Sequence, residues 1–225
     1  MELRSFLLAC GLGLFGILIV FLLPSFGEPS LDDYPWHIET TNDGNVRVLG
    51  LEIGRDTLLD ARRRIGETDV SLFAGSDGGL SMEIFFANVN LGGLGSRIVI
   101  TAEMEPDELQ ASFDRGLRIT SVGEGHRVTP HPHDVEYAGR APIASLTYMP
   151  RIRIEQETLR GRFGEPEEVI QEAGTTELWL YPRKGLTIAV DSSGRRGAVI
   201  QFQPPRSFDH SYFTPASLEA EGGLP

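Results

Sequence analysis

Residues 176–202 read TELWLYPRKGLTIAVDSSGRRGAVIQF. Three apolar runs, Thr176–Tyr181, Gly185–Val190 and Gly197–Phe202, are separated by Pro182-Arg-Lys-Gly185 and by Asp191-Ser-Ser-Gly194-Arg195. The runs are rich in β-branched and aromatic residues, and the connections carry hairpin chemistry. The stretch therefore predicts three antiparallel strands. With a period of two, Trp179 and Tyr181 share one strand face, while Leu178 and Leu180 point to the other. Both faces are apolar, so one needs a helix packed against it and the other a further layer or a partner.

Just upstream, Glu155-Gln-Glu-Thr-Leu-Arg-Gly-Arg-Phe-Gly164-Glu165-Pro166 has the pattern of a short helix closed by glycine. Asp56-Thr-Leu-Leu-Asp-Ala-Arg-Arg-Arg-Ile-Gly66-Glu67 repeats that design. Asp56 and Glu155 stand where negative charge favours a helix N-terminus. After the earlier helix, Leu80–Phe86 alternates as a strand, the pattern breaks over Asn88–Gly95, and Ser96–Ala102 forms a second strand. Pro106–Gly116 is a further short helix with Pro at its start and Gly at its end. The fold class expected is α+β: an N-terminal transmembrane helix followed by two helix-plus-antiparallel-sheet repeats. The expected divisions are an anchor over 1–23, a linker over 24–45, a first repeat with an insertion over 46–149, a second repeat over 150–203 and a flexible tail over 204–225. Trp36 in the linker is placed to dock on the domain.

The second repeat resembles the SmpA/OmlA family of small envelope domains, the BamE type. The residues that carry the likeness are Phe163-Gly164-Glu165-Pro166, Thr176-Glu-Leu-Trp179-Leu-Tyr181 and Asp191-Ser-Ser-Gly194. A tandem of such units is similar to the architecture of the β-lactamase inhibitor protein group. The resemblance implies a non-catalytic envelope module that acts by protein–protein contact, as an assembly factor, scaffold or inhibitor-like binder. The first repeat departs from the pattern: it has no Pro after Glu67 and no Trp in its strand.

Residues 6–23, FLLACGLGLFGILIVFLL, contain no charge. A helix of that length covers about 27 Å, near the thickness of a bilayer core. Arg4 precedes the run, and Glu28, Asp32 and Asp33 follow it, with no Lys or Arg before Arg47. A retained signal anchor, N-terminus inside, is the reading that the length favours. A cleaved signal ending after Ser25 and Gly27 and a lipoprotein built on Cys10 are the alternatives. The expected location is a single-pass bacterial inner-membrane protein with its C-terminal domain in the periplasm, held to the membrane by that helix. Gly11-Leu-Gly-Leu-Phe-Gly16 has dinucleotide-fingerprint spacing but lies inside the apolar run, which excludes that use. Ala9 and Gly13 have the small-x-x-x-small spacing of close helix pairs.

A net charge of −12, from 20 basic and 32 acidic residues, argues against nucleic-acid binding. One cysteine excludes an internal disulfide framework and a multi-cysteine zinc site. No G-x-S-x-G, H-E-x-x-H or Walker loop is present. Gly75–Gly79 and Gly92–Gly95 lack the lysine and following helix of a phosphate loop and read as loop tips. Asp209-His210-Ser211 holds triad residue types in a breaker-rich tail. Arg62-Arg63-Arg64 point in three directions on a helix, so they do not form one patch.

The richest cluster of potential ligands is Gly125-His126-Arg-Val-Thr-Pro-His131-Pro-His133-Asp134-Val-Glu136. His131 and His133 alternate as on a strand, while Pro130 and Pro132 favour an exposed extended loop. The expectation is therefore a binding module with an envelope-protein partner, no catalytic residue, no cofactor and no assigned metal ligand. The alternative is a periplasmic metal-binding or metal-dependent protein using His126, His131 and His133, with nitrogens that suit zinc or copper.

Overall fold

The computed structural model describes residues 30–75, 78–123, 125–172 and 174–210. In chain order the strands are β1 Glu39–Thr40, β2 Val46–Val48, β3 Leu51–Ile53, β4 Val70–Ala74, β5 Leu80–Leu91, β6 Leu94–Ala102, β7 Arg118–Val122 and β8 Gly125–Thr129. They continue as β9 Ile143–Pro150, β10 Glu168–Gln171, β11 Thr176–Tyr181, β12 Leu186–Asp191 and β13 Val199–Phe202. The helices are α1 Leu58–Ile65, α2 Pro106–Asp114, α3 Pro132–Arg140 and α4 Gln156–Phe163. Strands β1–β2–β3 form a small sheet. The other ten form one sheet, ordered β10-β11-β12-β13-β9-β6-β5-β4-β8-β7, and every pairing in it is antiparallel.

This architecture corrects the fold expected from sequence. The two helix-plus-strand units do not own separate sheets. Strand β9, from the supposed insertion, pairs with β6 on one side and β13 on the other, which fuses both units into one mostly antiparallel sheet. The longest described helices have nine residues, and among the described residues no helix is long and apolar enough to cross a membrane. The expected transmembrane signal anchor, and with it the single-pass inner-membrane location and periplasmic C-terminal domain, is corrected by that finding. The run 6–23 that prompted it lies outside the described residues.

Local chemistry explains the elements. Helix α1 starts at Thr57, whose hydroxyl accepts from the Asp60 amide at 3.3 Å while Asp60 accepts from the Thr57 amide at 2.9 Å. This reciprocal box satisfies two donors that the first turn would leave open, and it pulls the Asp60 carboxyl down to about 2, chiefly through the Thr57 hydroxyl. The cap is Thr57 rather than Asp56, whose carboxylate instead accepts from the Glu52 amide. Helices α1 and α4 end at the anticipated glycines, Gly66 and Gly164. Lys184, the one lysine of the chain, donates to the Phe163 carbonyl at 2.5 Å, and the Tyr181 hydroxyl donates to the Gly164 carbonyl at 2.9 Å. Both occupy carbonyls that a helix C-terminus leaves unpaired. Gly185 follows in a left-handed turn, where a Cβ would lie 1.9 Å from the Gln203 carbonyl oxygen, so no other residue fits there.

The helix side of the large sheet carries the main core. Opposed residues form continuous rows across strands: Phe86, Ile98, Tyr148, Ile200, Ile188 and Trp179 make one, and Ile84, Ile100, Leu146, Phe202, Leu186 and Tyr181 the next. Leu58, Ala61, Ala138, Leu159 and Phe163 from the helices, with Val46, Val48, Leu49, Leu51 and Ile53 from the small sheet, close over these rows. Leu49 sits at φ 53° between β2 and β3 yet is fully buried. The opposite face has its own apolar cluster of Val99, Met149, Leu178, Leu180, Ala189 and Val199, with Phe208 from beyond the last strand packed on it.

Residues 31–45, expected as linker, carry a 3-10 turn at Leu31–Asp33 and strand β1, and Trp36 packs against the main core. Strand β5 does not break at Asn88 but bulges between Phe86 and Val89, and Gly92-Gly93 then turns it into β6. A bulge keeps a long strand paired while bending it. Trp179 is fully buried, with the Arg160 guanidinium 4.2 Å above its ring. Trp179→Ala should cost about 3–5 kcal/mol of stability, the range for truncating a large buried aromatic, read as a lower urea midpoint with little change in slope.

Candidate interaction edge

Strand β7 ends the large sheet. It pairs with β8 alone, from Arg118↔Thr129 to Val122↔Gly125, and no described strand lies on its outer side. An edge strand presents unpaired amide and carbonyl groups along that side. Its sequence, Arg-Ile-Thr-Ser-Val, has neither proline nor lysine to discourage a further strand. Ile119 is 56% exposed and Leu117, just before the strand, 61% exposed. Ile119 lies on the helix side of the sheet, opposite buried Val128, and Leu117 sits in the bend that leads into the strand. Arg118 and Thr120 take the other side, and Thr120 opposes Arg127. Both arginines are exposed, a basic spot on a chain of net charge −12.

The far edge is built differently. Strand β10 also exposes an apolar residue, Val169, at 50%. There Glu165, Glu167, Glu168 and Glu172 surround it, with Arg183 held by Glu167 at 3.0 Å. Charge of this density discourages strand addition.

A charged clamp fixes the base of β7. Arg115, the residue after α2, donates to Asp134 on α3 at 2.6 Å and 3.3 Å, and a His133 ring nitrogen lies 3.3 Å from the same carboxylate. Asp134 is buried, and the Arg115 guanidinium holds its carboxyl below the usual range, with His133 assisting. Gly116 follows, then Leu117, whose amide donates to the Thr129 carbonyl at 2.9 Å. The direction in which β7 leaves α2 is therefore set by an ion pair between the two helices.

Among the described residues three other carboxylates are buried, and Glu83 accepts from the Ser81 hydroxyl at 2.6 Å. Burial pushes the Glu52 carboxyl up, but Asn45, Arg47 and Arg55 together outweigh it and hold the group ionised. Asp191 accepts from the Thr175 and Ser193 hydroxyls and from the Ser193, Arg195 and Arg196 amides, which hold its carboxyl far below the usual range.

The histidines singled out by sequence do not converge. His126 lies on β8. His131 caps α3, its Nδ1 accepting from the His133 amide at 3.2 Å, and His133 turns to Asp134. Pro132 is the first residue of α3, not part of an extended loop. Proline in the first turn followed by Asp134 was the signal for that helix. Among the described residues the set of three ligand-type side chains within 4.8 Å of one another is Asp32, His37 and Glu39. The arginine run diverges as anticipated: Arg62 pairs with Glu67, Arg63 with Asp60, and Arg64 with Asp33. The Asp209 backbone is held by Gln203, and Ser211 of that trio lies outside the described residues. Gly75 and Gly79 close the β4–β5 loop through a 2.8 Å backbone hydrogen bond.

Comparison with protein-family models, with curated proteins and with solved structures gave no match.

The Asp134 clamp gives a testable pH dependence. A carboxyl held low in the folded state adds stability above its unfolded value, and the contribution is lost as pH falls through the lower folded value. Asp134→Asn should cost about 1.5 kcal/mol at pH 7, the low end for a charged hydrogen bond because Arg115 is partly in solvent. Urea titrations should show the gap from the native chain narrowing as pH drops below the ordinary carboxyl value of 3.8.

Proposed function

We propose that this protein is a non-catalytic polypeptide-binding module that receives an extended partner segment along β7. The observation that carries the reading is exposed Ile119 on an edge strand with an open outer side, with exposed Leu117 just before it. A strand added there gains main-chain hydrogen bonds for affinity, while alternate side chains give specificity. The segment it fits has apolar residues at alternate positions, one lying beside Ile119, and acidic residues between them, facing Arg118 and Arg127. Engagement of buried Glu52, Asp134 and Asp191 in structural hydrogen bonds supports a binding role over catalysis. Within this proposal the α4–β13 half is of the SmpA/OmlA type, through Phe163-Gly164-Glu165-Pro166, Trp179 and Tyr181.

Panning a random peptide display library against the full chain tests the reading. Enriched peptides should alternate apolar and acidic residues. Their binding should fall at least about tenfold with Ile119→Lys, the loss expected when a central apolar anchor is removed, and should be untouched by Val169→Lys on the far edge. Enrichment indifferent to Ile119→Lys, or no enrichment by a folded protein, overturns it.

A further inference from the structure

We infer that Asp32, His37 and Glu39 form a binding site for a divalent transition-metal cation of the zinc type. The site is independent of the β7 edge and of the histidines near α3.

Two successive turns assemble it. The Tyr34 amide donates to the Leu31 carbonyl and the His37 amide to the Tyr34 carbonyl, both at 3.1 Å. They fold residues 31–37 so that Asp32, in the 3-10 turn, and His37, at its exit, come together. Glu39 follows on β1 two residues later, on the same side of an extended chain as His37. His37 Nε2 is 3.1 Å from Glu39 Oε1, and the ligand atoms of all three lie within 4.8 Å of one another. Adjacent ligands on one zinc ion, at bonds of about 2.0–2.2 Å, stand about 3.0–3.6 Å apart. The His37–Glu39 pair already has that spacing. The set closes on an ion through a side-chain adjustment of about one ångström by Asp32 or by the exposed Glu39.

The backbone carrying these groups is fixed from several directions, which distinguishes the set from acidic residues that merely share a surface. The Tyr34 and Trp36 rings stack at 5.1 Å. Tyr34 lies so close over Gly92 that a Cβ there would be 2.6 Å from its ring. The Arg162 guanidinium of α4 sits 4.7 Å over Trp36. Asp33, between the first ligand and the aromatic pair, is held by Arg64 of α1 at 2.7 Å, so the neighbouring carboxylate is neutralised. The loop thus meets the β5–β6 turn, α4 and α1, and little ordering remains for a metal to impose.

The donor chemistry selects the ion. One imidazole nitrogen and two carboxylate oxygens suit zinc or manganese better than soft copper(I), which favours sulfur, or calcium, which takes six to eight oxygens. The two carboxylates balance a divalent charge. Three protein ligands leave a position open for water, the arrangement of an accessible zinc centre rather than a closed structural one.

The test is calorimetric titration of zinc chloride into the full chain stripped by chelator, with thermal unfolding as a second readout. One equivalent should bind, and zinc should raise the melting temperature, because a ligand that binds the folded state stabilises it. His37→Ala should weaken binding at least about tenfold, the lower bound even for an outer-shell partner, and should remove the zinc-induced rise. Glu39→Gln, at a more exposed position, should do the same, which guards against a folding defect in the first variant. His131→Ala should leave binding unchanged. No saturable binding at millimolar zinc, or binding lost with His131→Ala and retained with His37→Ala, overturns the assignment.

Discussion

The pairing of β9 with β13 is the constraint on which the remaining architecture rests. Three register pairs, Leu146↔Phe202, Thr147↔Gln201 and Tyr148↔Ile200, join two helix-and-strand units of one chain. Because the period of a strand is two, this register decides which side chains meet on each face. It lines Ile98 and Tyr148 from the first unit with Ile200, Ile188 and Trp179 from the second. A slip of one residue would set Tyr148 opposite Gln201 or Val199, whose side chains belong to the other face of the sheet. Helices α1, α3 and α4 share one side of the sheet because the rows beneath them are continuous across the seam.

The second unit was readable in sequence because its signals are local. Strands β11, β12 and β13 are joined by short turns and carry alternating or continuous apolar runs, and Gly164 closes α4. Trp179 and Tyr181 point to α4, and Leu178 and Leu180 to the other face, as period two requires. The fusion of the sheets was not readable, since nothing near Ile143–Pro150 says that its partners lie about fifty residues away on either side in the chain. The strands β1, β2 and β3 escaped notice because each has three residues or fewer, too short for a period to show.

The sites divide along the same line. His131 and His133 are close in sequence, and that closeness by itself suggests a shared ligand role. The physical role of that segment is to begin a helix: His131 supplies the cap, Pro132 the first residue, and Asp134 the carboxylate that holds Arg115. Asp32, His37 and Glu39 are almost as close in sequence, but only the two turns over Leu31–His37 bring them together. A stretch rich in Pro, Gly and Asp reads as an extended linker. Trp36 was the one indication of folding, since an indole in a polar stretch is worth burying. The β7 edge was invisible for another reason: Arg-Ile-Thr-Ser-Val reads as a strand only once β8 is known to lie beside it.

The two ends of the sheet show why one is suited to a partner and the other is not. Both expose an apolar residue, so exposure by itself does not separate them. The β10 edge is hedged by four glutamates, of which Glu165 pairs with Arg160 and Glu167 with Arg183, and an incoming strand would have to desolvate this charged fringe. The β7 edge sets two arginines beside two exposed aliphatic side chains, in a chain whose net charge is −12. An acidic chain keeps copies of itself apart by like-charge repulsion, while a local basic spot still admits an acidic segment. Antiparallel growth of the sheet is thus suppressed at one end and left open at the other. The open end is braced from behind by the Arg115–Asp134 clamp, so the strand that a partner would extend is already held in place.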